Sequence, residues 1–531
     1  MTHTPEFALI VGVVLVAMSV FIAWTLRKHQ RTASEYYLAG RRVTVFQNAS
    51  AISGDYISAA SFLGVAGLVF LHGYDGLHYA YGFFLGFAVV LFFIAGPLRK
   101  FGHYTIPDFV GSRFHTTTGR AVAVICVLVI SLFYVAPQML GAGKILLALV
   151  GIPYPAAVAL VAGSITLYVV LGGMQAATIN QVVQFWVILT AILVVSLTIL
   201  GRGDLSFGHV LSGLQEMAAR GETETTLAPL AHYSRLETVS LLIALVLGTA
   251  GLPHILVRLY TNPDRARARW SAMLVLVLIG TFYLVAPYIG FTMRYLLDAG
   301  VASTDIALSS SIQEWMLEDG KNLVVPAAAL RFGGELGLAL VVAGALSAVL
   351  STAAGLLVVM SAALGHDLYY SLYNPQADER TRVLIARGST VVMGAAILLL
   401  GLVVQDMQIA VLVGLAFAVS ASTVFPVLVA GLWWRRMTAR GAVAGMLTGL
   451  GTSLLLIFGR TLLPEWLQLE NPGGLSVLAA FSVLFLVSKL DSRVPPDVDH
   501  FMAVVHGTME EQRLRSAGKL RTRRSFAGLE E

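Results

Sequence analysis

The sequence predicts an all-α polytopic membrane protein with about 13 transmembrane helices. Hydrophobic residues make up 57% of the chain and charged residues only 12%, and the mean hydropathy is +0.78, so a water-soluble surface of ordinary composition cannot be built. A helix needs about 20 apolar residues to cross a hydrocarbon core of roughly 30 Å. Apolar runs of that kind recur thirteen times between Phe7 and Lys489.

The thirteen predicted spans are 7–26, 47–70, 76–96, 121–148, 153–172, 178–200, 238–260, 271–292, 337–365, 386–404, 408–432, 441–459 and 473–488. No basic stretch precedes the first span, and Arg27, Lys28 and Arg31 follow it. That order is the reverse of a cleavable signal peptide. We therefore predict that residues 1–30 are a retained extra transmembrane helix.

Basic residues fall in alternate short loops, which is typical of cytoplasmic loops. They are Arg41, Arg42, Arg99, Lys100, Arg265, Arg267, Arg269, Arg380, Arg382, Arg435, Arg436 and Arg440. We predict a multi-pass protein of the cell (inner or plasma) membrane with its N-terminus outside and its C-terminus in the cytoplasm. The net charge of +5 thus reflects orientation in a lipid bilayer and indicates no nucleic-acid partner. The basic cytoplasmic tail, 490–531, either touches anionic lipid or is solvated.

Formal charge lies well inside the predicted spans only at Asp55, Lys144 and Arg258. Lys144 follows Gly-Ala-Gly, but Gln138 and Ile145 stand where a phosphate-binding loop has glycine and Ser or Thr. Metal-ligand spacings and a nucleophile with a base are also lacking from the sequence. We therefore predict no enzyme, no catalytic residues and no cofactor.

Two spans are interrupted. The second, "NASAISGDYISAASFLG" at 48–64, carries small and polar residues around Gly54, and the seventh, "VLGTAGLPHILVRLYT", is broken near Pro253. The breaks lie five spans apart, which predicts an inverted repeat of two five-helix halves, 47–200 and 238–432. For the second span alone, close helix packing by small residues remains an alternative explanation.

Broken helices expose backbone groups that can bind ions. The ninth span adds adjacent hydroxyls at Ser351 and Thr352, with Ser347 one turn earlier. Such a hydroxyl usually bonds the carbonyl four residues back. Adjacent side chains point about 100° apart on a helix, so at least one of the two needs another partner, and hard oxygen donors suit sodium. We also hypothesise that Asp55 and Arg258 pair as a gate at the inner ends of the broken helices, while His254 is a packed neutral residue.

Seven ordered motifs carry a resemblance to a known family. They are "GDYISAASFLG", "GYDGLHYAYGFFLG", "FYVAPQMLGAGK", "GTAGLPHILVR", "GHDLY", "VGLAFAVSAS" and "WWRRMTARGAVAG". Over residues 30–450 the chain resembles the sodium/solute symporter family, closest to its cation/acetate symporter (acetate permease) branch. The resemblance implies a leucine-transporter-like 5+5 inverted-repeat core, alternating access and sodium-coupled uptake.

The same resemblance implies a sodium site. Its backbone ligands would be the carbonyls of Gly54 and Ile57, and the other ligands, counted back from Asp367 of "GHDLY", would be Ala348, Ser351 and Thr352. Sodium would be the coupling ion and the one metal. The chain departs from the family at Asn180 and Gln181, where many members have Thr-Asp, which leaves the stoichiometry open.

A substrate site is expected beside the breaks and against the fourth span. Tyr134 and Gln138 are four residues apart and share a helix face, Phe62 follows the first break and Thr249 lies in the second. A small carboxylate needs a few donors and a short apolar pocket. We predict that Gln138 and Thr249 donate and that Phe62 and Tyr134 form the walls.

The predicted function is sodium-coupled symport of acetate or a similar short-chain monocarboxylate. Alternatives are a symporter of proline or another amino acid, proton coupling, and a membrane sensor that retains the symporter fold. Outside the two repeats, the predicted parts are an extracellular loop at 201–237 and two C-terminal helices at 433–489. A second extracellular loop, 297–336, is expected to contain short helices that cover the outer mouth.

Overall fold

The computed structural model describes residues 5–102, 104–221, 223, 227–300, 322–405 and 409–507. Regular structure within these ranges is helical throughout. The α-helices are α1 (Pro5–Leu26), α2 (Ala33–Leu38), α3 (Val45–Tyr56), α4 (Val65–His72), α5 (Leu77–Val89), α6 (Ala95–Phe101), α7 (Ile106–Phe114), α8 (Thr117–Ile145), α9 (Tyr154–Leu200), α10 (Phe207–Ala219), α11 (Arg235–Gly251), α12 (Pro253–Tyr260), α13 (Arg265–Gly300), α14 (Val324–Ala362), α15 (Glu379–Val403), α16 (Ile409–Ser422), α17 (Val424–Trp433), α18 (Ala439–Phe458), α19 (Gly473–Leu490) and α20 (Val498–His506).

Among the described residues, 11 helical runs are long and apolar enough to cross a membrane, so the chain is a multi-pass membrane protein. The predicted number of thirteen is not confirmed. Two runs, Ala60–Phe101 with 42 residues and Tyr154–Leu200 with 47 residues, are each far longer than the about 20 residues that one crossing needs. Each contains a glycine at positive φ, Gly73 at 56° and Gly173 at 52°.

Gly173 interrupts α9 for a local reason. Its φ of 52° and ψ of −148° are accessible to glycine and costly for other residues. A Cβ there would lie 2.6 Å from the carbonyl oxygen of Tyr36 in α2. A straight 47-residue helix would be about 70 Å long, so this bend keeps the two halves of α9 within the dimensions of the bundle.

Both predicted helix breaks are present. The chain leaves α3 at Ile57, with φ −76° and ψ 84°, and resumes as a π-helical turn, Ala60–Gly64, that leads into α4. Leu252, with φ −64° and ψ 115°, separates α11 from α12. Pro253 begins α12, a position where proline loses no intrahelical hydrogen bond.

Loops that the basic residues predict to be cytoplasmic lie close together at one end of the bundle. Arg41 Nη2 donates to Gly102 O at 2.5 Å, and Arg99 Nε donates to Asn262 O at the same distance. Lys100 Nζ donates to Gly507 O at 3.4 Å. The loops therefore share one face of the bundle. That this face meets the cytoplasm stays a prediction.

The first part of the predicted tail is folded onto this face. Helix α20 buries Phe501, whose ring centroid lies 5.5 Å from that of Phe101 and 6.3 Å from that of Phe109. The Arg113 guanidinium stands 4.6 Å from the centre of the Phe501 ring, and burial lowers the pKa of Arg113 to about 10. The basic residues from Arg513 onward lie outside the described residues.

The predicted outer lid, 297–336, is described only at its two ends. Residues 301–321, which include the segment "SIQEWMLEDG", lie outside the described ranges. The later segment forms the first turns of α14, which are separated from the rest of that helix by Gly334 at φ 60°. A role as a lid stays a prediction.

Candidate functional site

The first break of the core is attached to α14 by two hydroxyl groups. Ser351 Oγ donates to the carbonyl oxygen of Gly54 at 2.6 Å and lies 3.1 Å from the carbonyl oxygen of Ala348. Thr352 Oγ1 donates to the carbonyl oxygen of Asp55 at 2.7 Å. Both hydroxyl-bearing residues are fully buried. The adjacent hydroxyls therefore satisfy carbonyls that the end of α3 leaves without intrahelical donors.

These contacts bring together three of the five residues predicted for sodium, namely Gly54, Ala348 and Ser351. Thr352 meets the backbone of Asp55, whose carbonyl the sequence argument did not select. Ile57 lies in the break itself, and its N–H donates to Ser53 O at 2.9 Å. A sodium role for any of the five stays a prediction.

A buried ion pair lies next to this junction. Arg258 Nε lies 3.3 Å from Asp55 Oδ2, and both side chains are 0% exposed. Arg258 Nη1 donates to Thr178 Oγ1 at 2.7 Å, and Nη2 donates to Gln181 Oε1. Gln181 Nε2 in turn donates to the carbonyl oxygen of Ser351 at 2.8 Å.

One continuous polar network therefore joins the two broken helices and α14 through Gln181 of α9. Removing one member of such a buried ion pair typically costs 3–5 kcal/mol, because the remaining charge has no compensation. The Arg258 guanidinium already has three partners, which makes it a poor candidate for a direct partner of a substrate carboxylate.

The sequence singled out Asp55, Arg258 and Gln181 separately, but Thr178 was missed, since a threonine inside a span gives no signal of its own.

The two predicted substrate donors already have partners in the protein. Gln138 Oε1 accepts a hydrogen bond from the Ala59 N–H at 3.0 Å, and Nε2 donates to Tyr134 O at 3.3 Å. Thr249 Oγ1 lies 2.7 Å from the Tyr56 hydroxyl, which itself donates to Phe83 O at 2.9 Å. Gln138 thus satisfies a backbone donor just past the first break, and Thr249 joins the two breaks through Tyr56.

The two predicted walls lie against different neighbours. Tyr134 packs against His254, with ring centroids 5.3 Å apart, and against Phe417, at 5.4 Å. Phe62 stacks on Phe282 at 6.3 Å, and the hydrogen bonds and ring contacts of the described residues do not join it to Tyr134. The structure therefore brings Tyr134 to the second break and directs Phe62 toward another part of the core.

Other residues at the breaks were not predicted to be part of the substrate site. The rings of Tyr56, Phe83 and Tyr283 pack together, with centroids 5.8–6.5 Å apart. Ser58 Oγ and both ring nitrogens of His254 are buried and lack a hydrogen-bond partner within the described residues. Buried polar atoms are rarely left unpaired. The sequence predicted His254 only as a packed neutral residue, although its position directly after the helix-breaking Pro253 could have indicated a role at the site.

The fold and the site define a class of protein. Two discontinuous helices in equivalent positions of a multi-pass bundle, with backbone carbonyls facing hydroxyls of a third helix, are the arrangement of secondary transporters that bind an ion and a solute together. A site of this kind binds and moves a solute and needs no chemical step.

Comparisons with known proteins agree with that class. The sodium:solute symporter family matches residues 36–449. An uncharacterized symporter, YwcA of Bacillus subtilis (strain 168), is 35% identical over 514 residues, which cover 94% of this chain and 97% of the relative. The chain belongs to the sodium:solute symporter family, and it is a sodium-coupled solute transporter by that membership.

Solved structures show the same fold. A Na⁺-coupled sialic acid symporter, in a substrate-bound outward-open state, aligns with a TM-score of 0.73 at 15% identity, covering 92% of this chain and 98% of that one. Mhp1, a nucleobase-cation-symport-1 family transporter in a closed conformation with bromovinylhydantoin bound, aligns with a TM-score of 0.50 at 14% identity, covering 90% and 99%. The family and both neighbours are transporters and not enzymes.

Proposed function

We propose that this protein takes up acetate, or a similar short-chain monocarboxylate, together with sodium by alternating access. The observation that carries the proposal is the 2.6 Å contact between Ser351 Oγ and the carbonyl oxygen of Gly54. It joins the break in α3 to α14 through oxygen atoms of the kind that ligate a hard cation.

Sodium binding would change this contact. The hydroxyl hydrogen of Ser351 would turn away, and the oxygens of Gly54, Ala348 and Ser351 would face the ion, with Ile57 O and the Thr352 hydroxyl completing the set. The ion would then replace a direct bond between α3 and α14. Because both helices contribute ligands, ion binding would favour one relative position of the two, which is what coupling to a conformational change requires.

The substrate carboxylate would bind where the second break meets α8. Ser58 Oγ and the His254 imidazole have polar atoms without partners in the described chain, and Tyr134 packs on His254. The first N–H groups of α12 add a partial positive charge. Gln138 and Thr249 remain proposed substrate groups, since the Gln138 amide carries two N–H donors and only one is needed for Tyr134 O.

Buried aromatic rings support a small substrate. Tyr56, Phe83 and Phe417 are 0–3% exposed and pack on one another beside the breaks. A short carboxylate offers one charged end and a small apolar end, which matches a few donors set among aromatic walls. Phe62 lies in the turn Ala60–Gly64 just past the first break, and it remains a proposed wall.

The proposal is tested by uptake into proteoliposomes. Labelled acetate is supplied with an inward sodium gradient, or with a proton gradient alone, to wild type and to the Ser351→Ala/Thr352→Ala variant. We expect sodium-dependent uptake that falls at least tenfold in the variant. Ser361→Ala is the matched control, because Ser361 lies in the same helix but donates to Ala386 O at 3.1 Å, away from the breaks.

Competition by unlabelled propionate, pyruvate and proline identifies the substrate class. We expect the monocarboxylates to compete and proline to have no effect. His254→Asn should raise the KM for acetate while leaving the sodium dependence unchanged. Uptake driven by protons and indifferent to the double substitution would overturn the ion site, and competition by proline alone would overturn the carboxylate assignment.

A further inference from the structure

A second cluster of ionisable side chains lies at the end of the bundle that carries the basic loops. Asp108 of α7 and the neighbours His366 and Asp367, in the π-helical stretch Ala363–Tyr373 after α14, place one potential ligand atom each within 4.8 Å of one another. All three side chains are at most 5% exposed. The cluster is separate from the helix breaks, and the transport site makes no use of it.

Each carboxylate is oriented by a donor from outside the trio. Arg120 Nη1 lies 3.0 Å from Asp108 Oδ1, and Thr105 Oγ1 donates to Asp367 Oδ1 at 2.7 Å. Asp108 Oδ2 lies 2.8 Å from His366 Nε2 and accepts from the Tyr104 N–H at 3.3 Å. Outer contacts of this type are what hold metal-ligating carboxylates in a fixed orientation.

The remaining polar atoms are unsatisfied. Asp367 Oδ2 and His366 Nδ1 are buried, and within the described ranges neither has a hydrogen-bond partner. Within the part of the chain that the structure describes, the ion-pair contacts of the two carboxylates are those of Asp108 with Arg120 and with His366. Negative charge held away from water favours a bound cation.

We propose that Asp108, His366 and Asp367 bind a divalent first-row transition-metal cation. Two carboxylates and one imidazole are a donor set that suits Mn²⁺, Co²⁺ or Zn²⁺, whereas sodium and Mg²⁺ favour oxygen donors alone. The ion would link α7 to the end of α14 and restrain the separation of these elements. The site is thus a candidate point of control at the face opposite the predicted lid.

Direct metal binding tests the proposal without any transport assay. Tag-free, full-length protein in detergent is titrated with Mn²⁺, and free and bound ion are measured by electron paramagnetic resonance. We expect one tightly bound Mn²⁺ per chain, with affinity at least tenfold weaker in His366→Gln and in Asp367→Asn. His115→Gln is the matched control, because His115 also pairs with an aspartate, Asp497 at 3.0 Å, but in an exposed position.

A second measurement uses only the wild-type protein, so it does not depend on how well the variants fold. Pulsed electron paramagnetic resonance of the bound Mn²⁺ should show coupling to an imidazole nitrogen. Absence of that coupling, or equal affinity in the wild type and both cluster variants, would overturn the proposal. Because the readout is binding, failure here leaves the uptake experiment and its interpretation untouched.

Discussion

Arg258 Nε and Asp55 Oδ2 lie 3.3 Å apart, and both side chains are fully buried. The pair connects α12 with α3, and each of these is the half of a broken helix that lies next to a loop carrying basic residues. A charge pair in this position stabilises one arrangement of the two halves. Separating the halves would leave each buried charge without its partner, which costs free energy.

The ion pair predicts compensation between substitutions. Asp55→Ala or Arg258→Ala alone should lower the free energy of unfolding by about 3–5 kcal/mol, because each leaves a buried charge. Asp55→Arg combined with Arg258→Asp should recover part of the loss. Thermal unfolding in detergent and acetate uptake both report the result, and failure of the reversed pair to improve on either single variant would remove the gating role.

Gln181 should transmit the state of the ion pair to the ion site. It accepts from Arg258 Nη2 and donates to Ser351 O at 2.8 Å. In Gln181→Ala the Ser351 carbonyl and Arg258 each lose a partner, and we expect the sodium KM for uptake to rise about tenfold, equivalent to about 1.4 kcal/mol. The acetate KM at saturating sodium should change little.

Asn180→Ala is the control for that experiment. The Asn180 amide donates to Ser19 O of α1 at 3.1 Å, so this variant removes a buried amide of similar size from the neighbouring position without touching the ion site. An equal rise in sodium KM in both variants would show that α9 packing, and not the Gln181 contacts, sets sodium affinity.

Gly54 should be intolerant of any side chain. A Cβ there would lie 2.7 Å from Gln181 O and 3.0 Å from Phe185 Cβ, so Gly54→Ala must separate α3 from α9. We expect uptake to be lost and the protein to unfold at lower temperature, with overpacking of this type costing roughly 1–3 kcal/mol. Gly64→Ala serves for comparison, since a Cβ at Gly64 has no neighbour within 4 Å in the described structure.

Orientation in the membrane is testable with single cysteines. Cys126, the one cysteine of the chain, is fully buried, so labelling of the native protein should be low. In intact cells an impermeant thiol reagent should label Arg202→Cys and spare Arg380→Cys, two positions that are both exposed in the structure. The reverse pattern would invert the predicted topology.

Much of the fold could be predicted from the sequence because it depends on composition and on the glycine and proline residues that interrupt membrane helices. Long apolar runs identify membrane helices, and the glycine- and proline-bearing interruptions near Gly54 and Pro253 coincide with the observed breaks at Ile57 and Leu252. The number of membrane spans was harder to predict from the sequence. The predicted spans already divide the chain at 71–75 and at 173–177, where Gly73 and Gly173 have positive φ, but only the structure shows that the helical run continues through each of these points.

The sequence alone determined that the chain crosses a membrane many times, that two of its helices are broken, and that Ser351 and Thr352 are candidate ion ligands. It did so because these properties depend on hydropathy and on backbone chemistry within a single segment. Tertiary structure decided which carbonyl each hydroxyl meets, that Gln181 connects Arg258 to Ser351, and that Gln138 and Thr249 already have partners. Such pairings depend on the distance and rotation between helices far apart in the chain, which no local pattern encodes.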